Sequence, residues 1–232
     1  VRVAILDSGI NERESYIMRC LKLRGGDRRI FETRSWVGKE TDWRDTNGHG
    51  TLVARFFLEV APRAHLYIGK VCEGKDIPKE GYHGIVQAID HAITEWDVDI
   101  ISLSFGIDTS AGTDTGTDAE TPTSARHRQP NTRARIVFAA ACNGGPLERR
   151  AFPARMSGVI CVNASDGHGQ KANLLSPDPV AGEDNFITLG AYVRYPPSGA
   201  TSSSLQYEYK SGTSFATPIA AGLAADLLEF AR

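Results

Sequence analysis

Long apolar runs are missing from this chain of 232 residues, and no stretch approaches the roughly 18 residues that a membrane-spanning helix needs. The sequence therefore predicts no membrane partner. An excess of charge of one sign is missing too, because 26 basic and 28 acidic residues leave a net charge of -2. Such a balance gives no electrostatic basis for binding nucleic acid, so none is predicted as a partner.

Cysteine is scarce, and no two cysteines form a C-x-x-C pair, which argues against a zinc site. The four cysteines are Cys20, Cys72, Cys142 and Cys161. Cys72 and Cys161 lie within or directly after apolar runs, where a thiol behaves as a small hydrophobic group. We expect reduced, buried cysteines rather than a disulfide. No G-x-G-x-x-G motif or P-loop follows the first predicted strand, which argues against a nucleotide-binding domain.

Apolar runs of strand length alternate with segments of helical period along the chain. Near-continuous apolar strands favour a parallel sheet that is covered on both faces. This alternation predicts an α/β fold, a three-layer sandwich around a mostly parallel central sheet, and the length favours a single domain over 1–232. The predicted strands are 1–6, 65–71, 99–104, 135–141 and 159–163, and the predicted helices are 50–60, 84–96 and 213–230.

Two segments depart from this alternation. Residues 107–134 are rich in Thr, Ser, Asp and Gly and then turn basic, which predicts a surface loop insertion with a solvated charge run. Residues 196–206, rich in Ser and Pro, predict a second loop that leads into a strand before Ser214. The first residue already belongs to a predicted strand, which favours a domain cut from, or processed out of, a longer chain.

Ser214 lies in S-G-T-S-F-A-T-P at residues 211–218, the most informative stretch of the sequence. A serine beside glycine and before a run of small apolar residues predicts a nucleophile on the first turn of a buried helix. Far upstream, Asp7 follows the first predicted strand and His49 lies in N-G-H-G-T. A serine hydroxyl needs a base within hydrogen-bond distance, and that base needs an acceptor on its other ring nitrogen. Ser214, His49 and Asp7 are the candidates for these roles.

Each candidate has a simpler explanation when it is taken alone. An aspartate after a strand is usually a turn or cap residue, and a histidine between glycines is more often a cap or polar surface residue. A serine at a helix N-terminus is by default an N-cap. The conjunction of three glycine-rich contexts in the order Asp, His, Ser favours catalysis over these explanations. The α/β-hydrolases do not fit, because there is no G-x-S-x-G motif and their order is different.

This conjunction resembles the subtilisin-like serine proteases, the subtilases (peptidase family S8). D-S-G at 7–9 resembles the family's Asp motif, H-G-T-L-V-A at 49–54 its His motif, and G-T-S-F-A-T-P at 212–218 its Ser motif. The resemblance covers essentially the whole chain. It implies a subtilisin-like fold and a serine endopeptidase that cleaves polypeptides through an acyl-enzyme. It also implies that Asn143, in A-A-A-C-N-G-G, donates to the oxyanion.

The resemblance further implies a strand whose edge pairs with the extended substrate backbone. A pocket for the residue before the scissile bond would lie beside it, although core packing is the alternative explanation for Phe105. Phe152-Pro153 matches a family position where a cis-proline shapes the same pocket. The residues implied as the pocket walls are Ser104, Phe105, Gly106, Ala140, Ala141 and Cys142.

Two positions depart from the family pattern. Leu52 replaces a second histidine of the His motif, and we expect this to alter packing more than chemistry. Cys142 stands where the family usually has glycine or another small residue. A side chain there should narrow the pocket floor, so we expect small or medium apolar residues to be favoured over large aromatic ones.

No cofactor and no metal are expected. The family's calcium sites have no matching ligand loop in this sequence. Instead, we expect the carboxylates in polar segments to be surface groups rather than metal ligands. They are Glu40, Asp42, Asp45 and Asp178.

The start on a strand and the free cysteines resemble intracellular fungal subtilase domains that are parts of larger multidomain proteins. We therefore expect a cytoplasmic location, with secretion after processing as the alternative. The alternative function is a non-catalytic or conditionally activated peptide-binding domain of a larger protein. Degenerate relatives usually lose a catalytic residue, so the presence of Asp7, His49, Ser214 and Asn143 favours an active endopeptidase.

Overall fold

The computed structural model describes residues 1–21, 28–74, 76–107, 134–173, 175–196 and 207–232. The strands are β1 (Arg2–Asp7), β2 (Ile30–Ser35), β3 (His65–Lys70), β4 (Ile100–Leu103), β5 (Ile136–Ala140), β6 (Ile160–Ser165), β7 (Asn185–Leu189), β8 (Val193–Tyr195) and β9 (Glu208–Lys210). The helices are α1 (Ser15–Leu21), α2 (His49–Val60), α3 (Tyr82–Thr94) and α4 (Thr213–Ala231), with a 3-10 turn at Lys79–Gly81. The loops predicted at 107–134 and 196–206 fall almost entirely outside the described residues.

Seven strands form one sheet in the order β2-β3-β1-β4-β5-β6-β7, and all neighbours in it are parallel. Successive side chains of β1 point to opposite faces, so Val3 and Ile5 join one buried apolar cluster while Ala4 and Leu6 join another. Both faces of the sheet are therefore covered, as a parallel sheet requires. The predicted three-layer α/β sandwich is confirmed.

The helices form the two outer layers. Buried apolar residues of α2 and α4 pack on the face that carries Val3 and Ile5, and those of α3 pack on the opposite face. Helices α2 and α4 come close because residue 222 is a glycine: a Cβ there would lie 2.8 Å from the Cβ of Val60. The close approach matters for the site, because α2 begins at His49 and α4 begins one residue before Ser214.

The carboxyl ends of β1, β4 and β5 meet at one edge of the sheet. Strand β1 lies between β3 and β4, and its last residue is Asp7. Leu103 of β4 pairs with Ala139 of β5, so the segments that follow these two strands leave the sheet side by side. Ligand sites of open parallel sheets lie at this edge. The fold thus brings the predicted acid and both predicted pocket walls to the same side of the molecule.

All five strands and all three helices predicted from the sequence are present within a few residues of the expected bounds. The strand expected before Ser214 is β9, which pairs with β8 in an antiparallel manner. The sequence interpretation missed α1, the edge strands β2 and β7, and β8. The missed strands include many partly or fully exposed residues, so they lack the continuous apolar run that marks the buried strands.

Helix α4 corrects the expectation that no segment approaches the length of a membrane span. It has 19 residues and is long and apolar enough to cross a bilayer by length and composition. Small residues and few charges give it this character, and the core helix of a soluble protein passes the same test. Here its buried residues pack against α2 and strands of the central sheet.

The four cysteines are free thiols. Cys72 and Cys161 are buried, while Cys20 and Cys142 are half-buried. No disulfide links any of the four, and burial holds as expected for two of them.

Candidate active site

Asp7 is a buried carboxylate at the carboxyl end of β1, with 2% of its surface exposed. Its Oδ1 accepts a hydrogen bond of 2.8 Å from the backbone N–H of Ser8. The same oxygen lies 2.8 Å from Nδ1 of His49. The structure therefore brings together the predicted acid and the predicted base, which are 42 residues apart in the sequence.

His49 is the first residue of α2 and lies between two glycines. Each of these positions requires glycine for a different physical reason. Gly48 precedes the helix in a left-handed conformation with φ of 90°, which side chains other than glycine adopt at a cost. Gly50 lies so close to the Asp7 turn that a Cβ would come within 2.4 Å of the carbonyl oxygen of Gly9. A larger residue at position 50 would push α2, and the imidazole with it, away from Asp7.

Asp45 connects the Asp7 turn to the start of α2, and the expectation that it is a surface carboxylate was wrong. It is 6% exposed and accepts hydrogen bonds through both carboxylate oxygens. The donors to Oδ1 are the Ser8 hydroxyl at 3.0 Å and the N–H groups of Asn47 and Gly48 at 3.0 and 2.7 Å. The donors to Oδ2 are the N–H and hydroxyl of Thr51 at 2.8 and 2.5 Å. The carboxylate thus satisfies the N–H of Thr51 in the first turn of α2 and the N–H groups of the two residues before the helix.

Ser214 is the second residue of α4 and is half-buried. The next residue, Phe215, packs against the imidazole of His49, with the two ring centroids 5.3 Å apart. Phe215 also contacts Phe56 of α2 edge to face, at 5.7 Å between centroids. These ring contacts hold the start of α4 beside the start of α2.

Asn143 follows β5 and faces the N-terminus of α4. Its Oδ1 accepts hydrogen bonds from the N–H of Thr213 at 2.8 Å and from the Thr213 hydroxyl at 3.2 Å. Gly212 permits this approach, because a Cβ there would lie 3.3 Å from the same oxygen. With the amide oxygen held by Thr213, the NH₂ group of Asn143 is left to donate away from the helix.

The six predicted pocket residues lie together, but they differ in how much surface they offer. Four of them have less than a tenth of their surface exposed, and Phe105 packs in the apolar cluster on the α3 side of the sheet. Gly106 is exposed and Cys142 is half-buried. The four buried residues are Ser104, Phe105, Ala140 and Ala141.

A short segment after Gly145, which includes Ala151 and Phe152, connects the two predicted walls of the pocket. The N–H of Ala151 donates to the carbonyl of Ala141 at 2.8 Å, and Ile107 and Phe152 exchange two backbone hydrogen bonds of 2.9 and 3.1 Å. The segment also passes so near Gly106 that a Cβ there would lie 2.5 Å from the Cβ of Ala151. The peptide bond between Phe152 and Pro153 is cis, as the resemblance predicts.

The family model described as "Peptidase_S8: Subtilase family" matches residues 1–232. The chain belongs to the subtilase family. The resemblance that the three motifs indicate is confirmed over the whole chain.

Curated subtilases with similar sequences come from different organisms. The "Thermostable alkaline protease" of Halalkalibacterium halodurans is 31% identical over 233 residues, which cover 97% of this chain and 55% of that protein. The "Subtilisin-like protease het-Q2" of Podospora anserina is 32% identical over 193 residues, which cover 80% of this chain and 50% of that protein. The chain spans about half the length of these curated relatives.

A solved protease structure supports the fold. The prenylagaramide maturation protease PagA superimposes with a TM-score of 0.75 at 23% sequence identity, covering 99% of this chain and 76% of that chain. At this identity the likeness concerns the fold, and it agrees with the three-layer sandwich described above.

The sequence interpretation of this subtilase missed Asp45 as a structural link in the site. The available signal was an Asp a few residues before a predicted helix start, where an oxygen can accept the free N–H groups. Leu52, which departs from the family pattern, packs against the cluster of Phe56, Val193, Tyr195 and Phe215, so its contacts are apolar.

The carboxylates that the sequence analysis considered as possible metal ligands differ in their surroundings. Glu40, Asp42 and Asp178 are exposed, and Asp178 pairs with Lys171. Among the described residues of this subtilase, no three imidazole, thiol or carboxylate groups lie close enough to hold a metal ion.

Proposed function

We propose that the protein is a serine endopeptidase in which Ser214 is the nucleophile, His49 the base and Asp7 the orienting acid. The observation that carries the proposal is the contact of 2.8 Å between His49 Nδ1 and a buried carboxylate oxygen of Asp7. A carboxylate on Nδ1 holds the proton there, which leaves Nε2 free to accept another. The packing of Phe215 against the imidazole supports Ser214 as the partner of that nitrogen.

The reaction that these groups support is acyl transfer in two stages. His49 Nε2 removes the hydroxyl proton of Ser214, and Oγ attacks the carbonyl carbon of the peptide bond. Asp7 stays ionised and stabilises the imidazolium, which then donates the proton to the leaving amine. A water molecule, deprotonated by the same imidazole, hydrolyses the ester and releases Ser214.

The oxyanion of the tetrahedral intermediate needs donors that are aimed before the reaction starts. We propose the NH₂ group of Asn143 and the backbone N–H of Ser214 for this role. The two hydrogen bonds from Thr213 support it, because they hold the amide oxygen at the helix and orient the NH₂ group. Loss of one such donor typically lowers kcat by about 100- to 1,000-fold. The positive end of the α4 dipole lies at the same place and favours the negative oxygen.

A fluorophosphonate probe tests the nucleophile directly. We expect the folded protein to form one covalent adduct, which peptide mass spectrometry locates on Ser214. Ser214→Ala should remove the adduct, and His49→Ala should slow its formation by several orders of magnitude because the hydroxyl loses its base. An unlabelled wild-type protein with a folded circular dichroism spectrum would contradict the proposal.

We propose polypeptides as substrates. Membership in the subtilase family supports this, and so do relatives that are named as proteases. Cys142 supports a narrow pocket for the residue before the scissile bond. Burial raises the pKa of its thiol, and the Glu148 carboxylate adds to the increase, so the group stays a neutral thiol at neutral pH. We expect Phe and Tyr to be poor at this position in cleavage of a peptide library. Their dominance there would show that Cys142 does not limit the pocket.

A further inference from the structure

Glu148 lies on the segment that joins the two predicted pocket walls. Its backbone N–H donates to the carbonyl of Gly145 at 3.3 Å, so the chain turns back on itself at this point. The turn brings Glu148 Oε2 within 1.0 Å of the position that a Cβ on Gly144 would occupy. The carboxylate of Glu148 therefore takes the place of a side chain at residue 144, directly after Asn143.

The Glu148 carboxylate puts a negative charge at this place. It is exposed, and it forms no ion pair within the part of the chain that the structure describes. The nearby Arg150 does not neutralise it, because its guanidinium pairs with Glu183 and Asn185. The charge acts on the predicted pocket wall, since it contributes to the raised pKa of Cys142. An exposed carboxylate without a partner attracts a cation from outside the chain.

Asn143 determines which part of a substrate reaches this carboxylate. In the proposed reaction its NH₂ group binds the carbonyl oxygen of the residue before the scissile bond, so the side chain of that residue starts beside Asn143. Consecutive Cα atoms are about 3.8 Å apart, which puts residue 144 within the span of a long side chain. A lysine or arginine has a slender methylene stem that fits a pocket narrowed by Cys142, with the charge at the end in water.

We propose that Glu148 is a specificity-determining residue that favours lysine or arginine immediately before the scissile bond. The inference rests on the proposed endopeptidase function and adds the substrate class to it. The inference replaces the expectation of small or medium apolar residues at this position with a cation on a slender stem. It keeps the exclusion of large aromatic residues by Cys142, because that exclusion concerns width and the preference for a cation concerns charge.

The test uses peptides that differ only at this one position, carrying Lys, Arg, norleucine or Glu. Norleucine keeps the straight four-carbon stem of lysine and lacks the terminal ammonium group. We expect the wild-type protein to cleave the Lys peptide with a kcat/KM about three- to tenfold above that of the norleucine peptide. Glu148→Gln should lower this ratio to about one, and Glu148→Lys should favour the Glu peptide.

Two controls separate charge from shape. Glu95→Gln removes the same charge next to the C-terminus of α3, at the edge of the sheet opposite Asp7, and should keep the ratio of Lys to norleucine. Raising the salt from about 0.05 M to about 0.5 M should lower the ratio for the wild-type protein, because the Debye length shortens. A purely steric role for Glu148 would not respond to salt.

The outcomes distinguish the inference from the proposed function. Equal cleavage of the Lys and norleucine peptides, or a preference that survives Glu148→Gln, would overturn the role of Glu148 while the endopeptidase stands. If no peptide is cleaved and the folded protein is not labelled at Ser214 by the fluorophosphonate, the endopeptidase proposal itself falls.

Discussion

At the scale of single residues, Asp45 connects the two short segments that carry Asp7 and His49. Its Oδ1 holds the hydroxyl of Ser8, which in turn accepts the N–H of Gly50 at 3.0 Å. Its Oδ2 holds Thr51 in the first turn of α2. Every partner is a donor, so only a group with two acceptor oxygens satisfies all of them. Asp45 is therefore a positioning residue for the contact between Asp7 and His49.

The substitution Asp45→Asn tests this role, because it replaces one acceptor oxygen with an NH₂ group that faces other donors. We expect a loss of about 1–3 kcal/mol in the free energy of unfolding by urea, the cost of leaving buried donors unpaired. We also expect kcat to fall more than KM changes, and fluorophosphonate labelling of Ser214 to slow. Asp42→Asn is the matched control, since Asp42 is exposed. If the Asp45→Asn variant is destabilised but labelled at the wild-type rate, Asp45 has a structural role only.

At the scale of secondary structure elements, the distance between α2 and α4 determines how near His49 comes to Ser214. The closest approach described above is at Gly222, where a Cβ would lie 2.8 Å from the Cβ of Val60 and 3.0 Å from its Cγ1. Real Cβ atoms do not approach others this closely, and the neighbour is a short, stiff side chain. Any side chain at position 222 must therefore move one helix relative to the other.

Gly222→Ala should destabilise the protein although alanine is the better helix former. The overpacking costs about 1–3 kcal/mol, which outweighs the gain of up to about 1 kcal/mol in helix propensity. Thermal unfolding should show a lower Tm, and labelling of Ser214 should slow. The second change Val60→Ala should recover part of both losses, because the two residues touch. Gly167→Ala is the control, since no atom lies within 4 Å of a Cβ there. A Tm for Gly222→Ala at or above the wild-type value would refute the tight contact.

At the scale of the whole molecule, burial decides how much the sequence could predict. The inner strands are buried on both faces, so β1 and β4 show as short apolar runs, whereas the edge strand β2 reads I-F-E-T-R-S. Asp7, His49 and Ser214 could be named as candidates because each lies in its own glycine-rich motif. The position of Asp45 before a helix start indicated contacts with the first N–H groups of α2, but its contact with Ser8 depends on a turn that the sequence did not predict. The position of Glu148 beside Gly144 likewise depends on a turn.

Burial also makes the whole molecule sensitive to alkali. It is the main cause of a raised pKa for four groups: about 12 for Cys72, Tyr16 and Tyr195, and about 11 for Cys161. Their ordinary values are 9 for the thiols and 10 for the phenols, so the folded state keeps protons that the unfolded state has lost. These groups make their full contribution to the free energy of unfolding below about pH 9. That contribution is lost as the pH rises towards about 12.

Urea unfolding at about pH 8, 10 and 11 measures this loss, and the midpoint should fall progressively across the series. A single group such as Cys72 contributes at most about 1.4 kcal/mol per pH unit between its two pKa values, because one proton separates the folded and unfolded states there. Cys72→Ala removes one of the four groups, so its midpoint should depend less steeply on pH, whatever its stability at pH 8. A midpoint that stays constant from pH 8 to 11 in the wild-type protein would mean that these thiols and phenols are reached by water in the folded state.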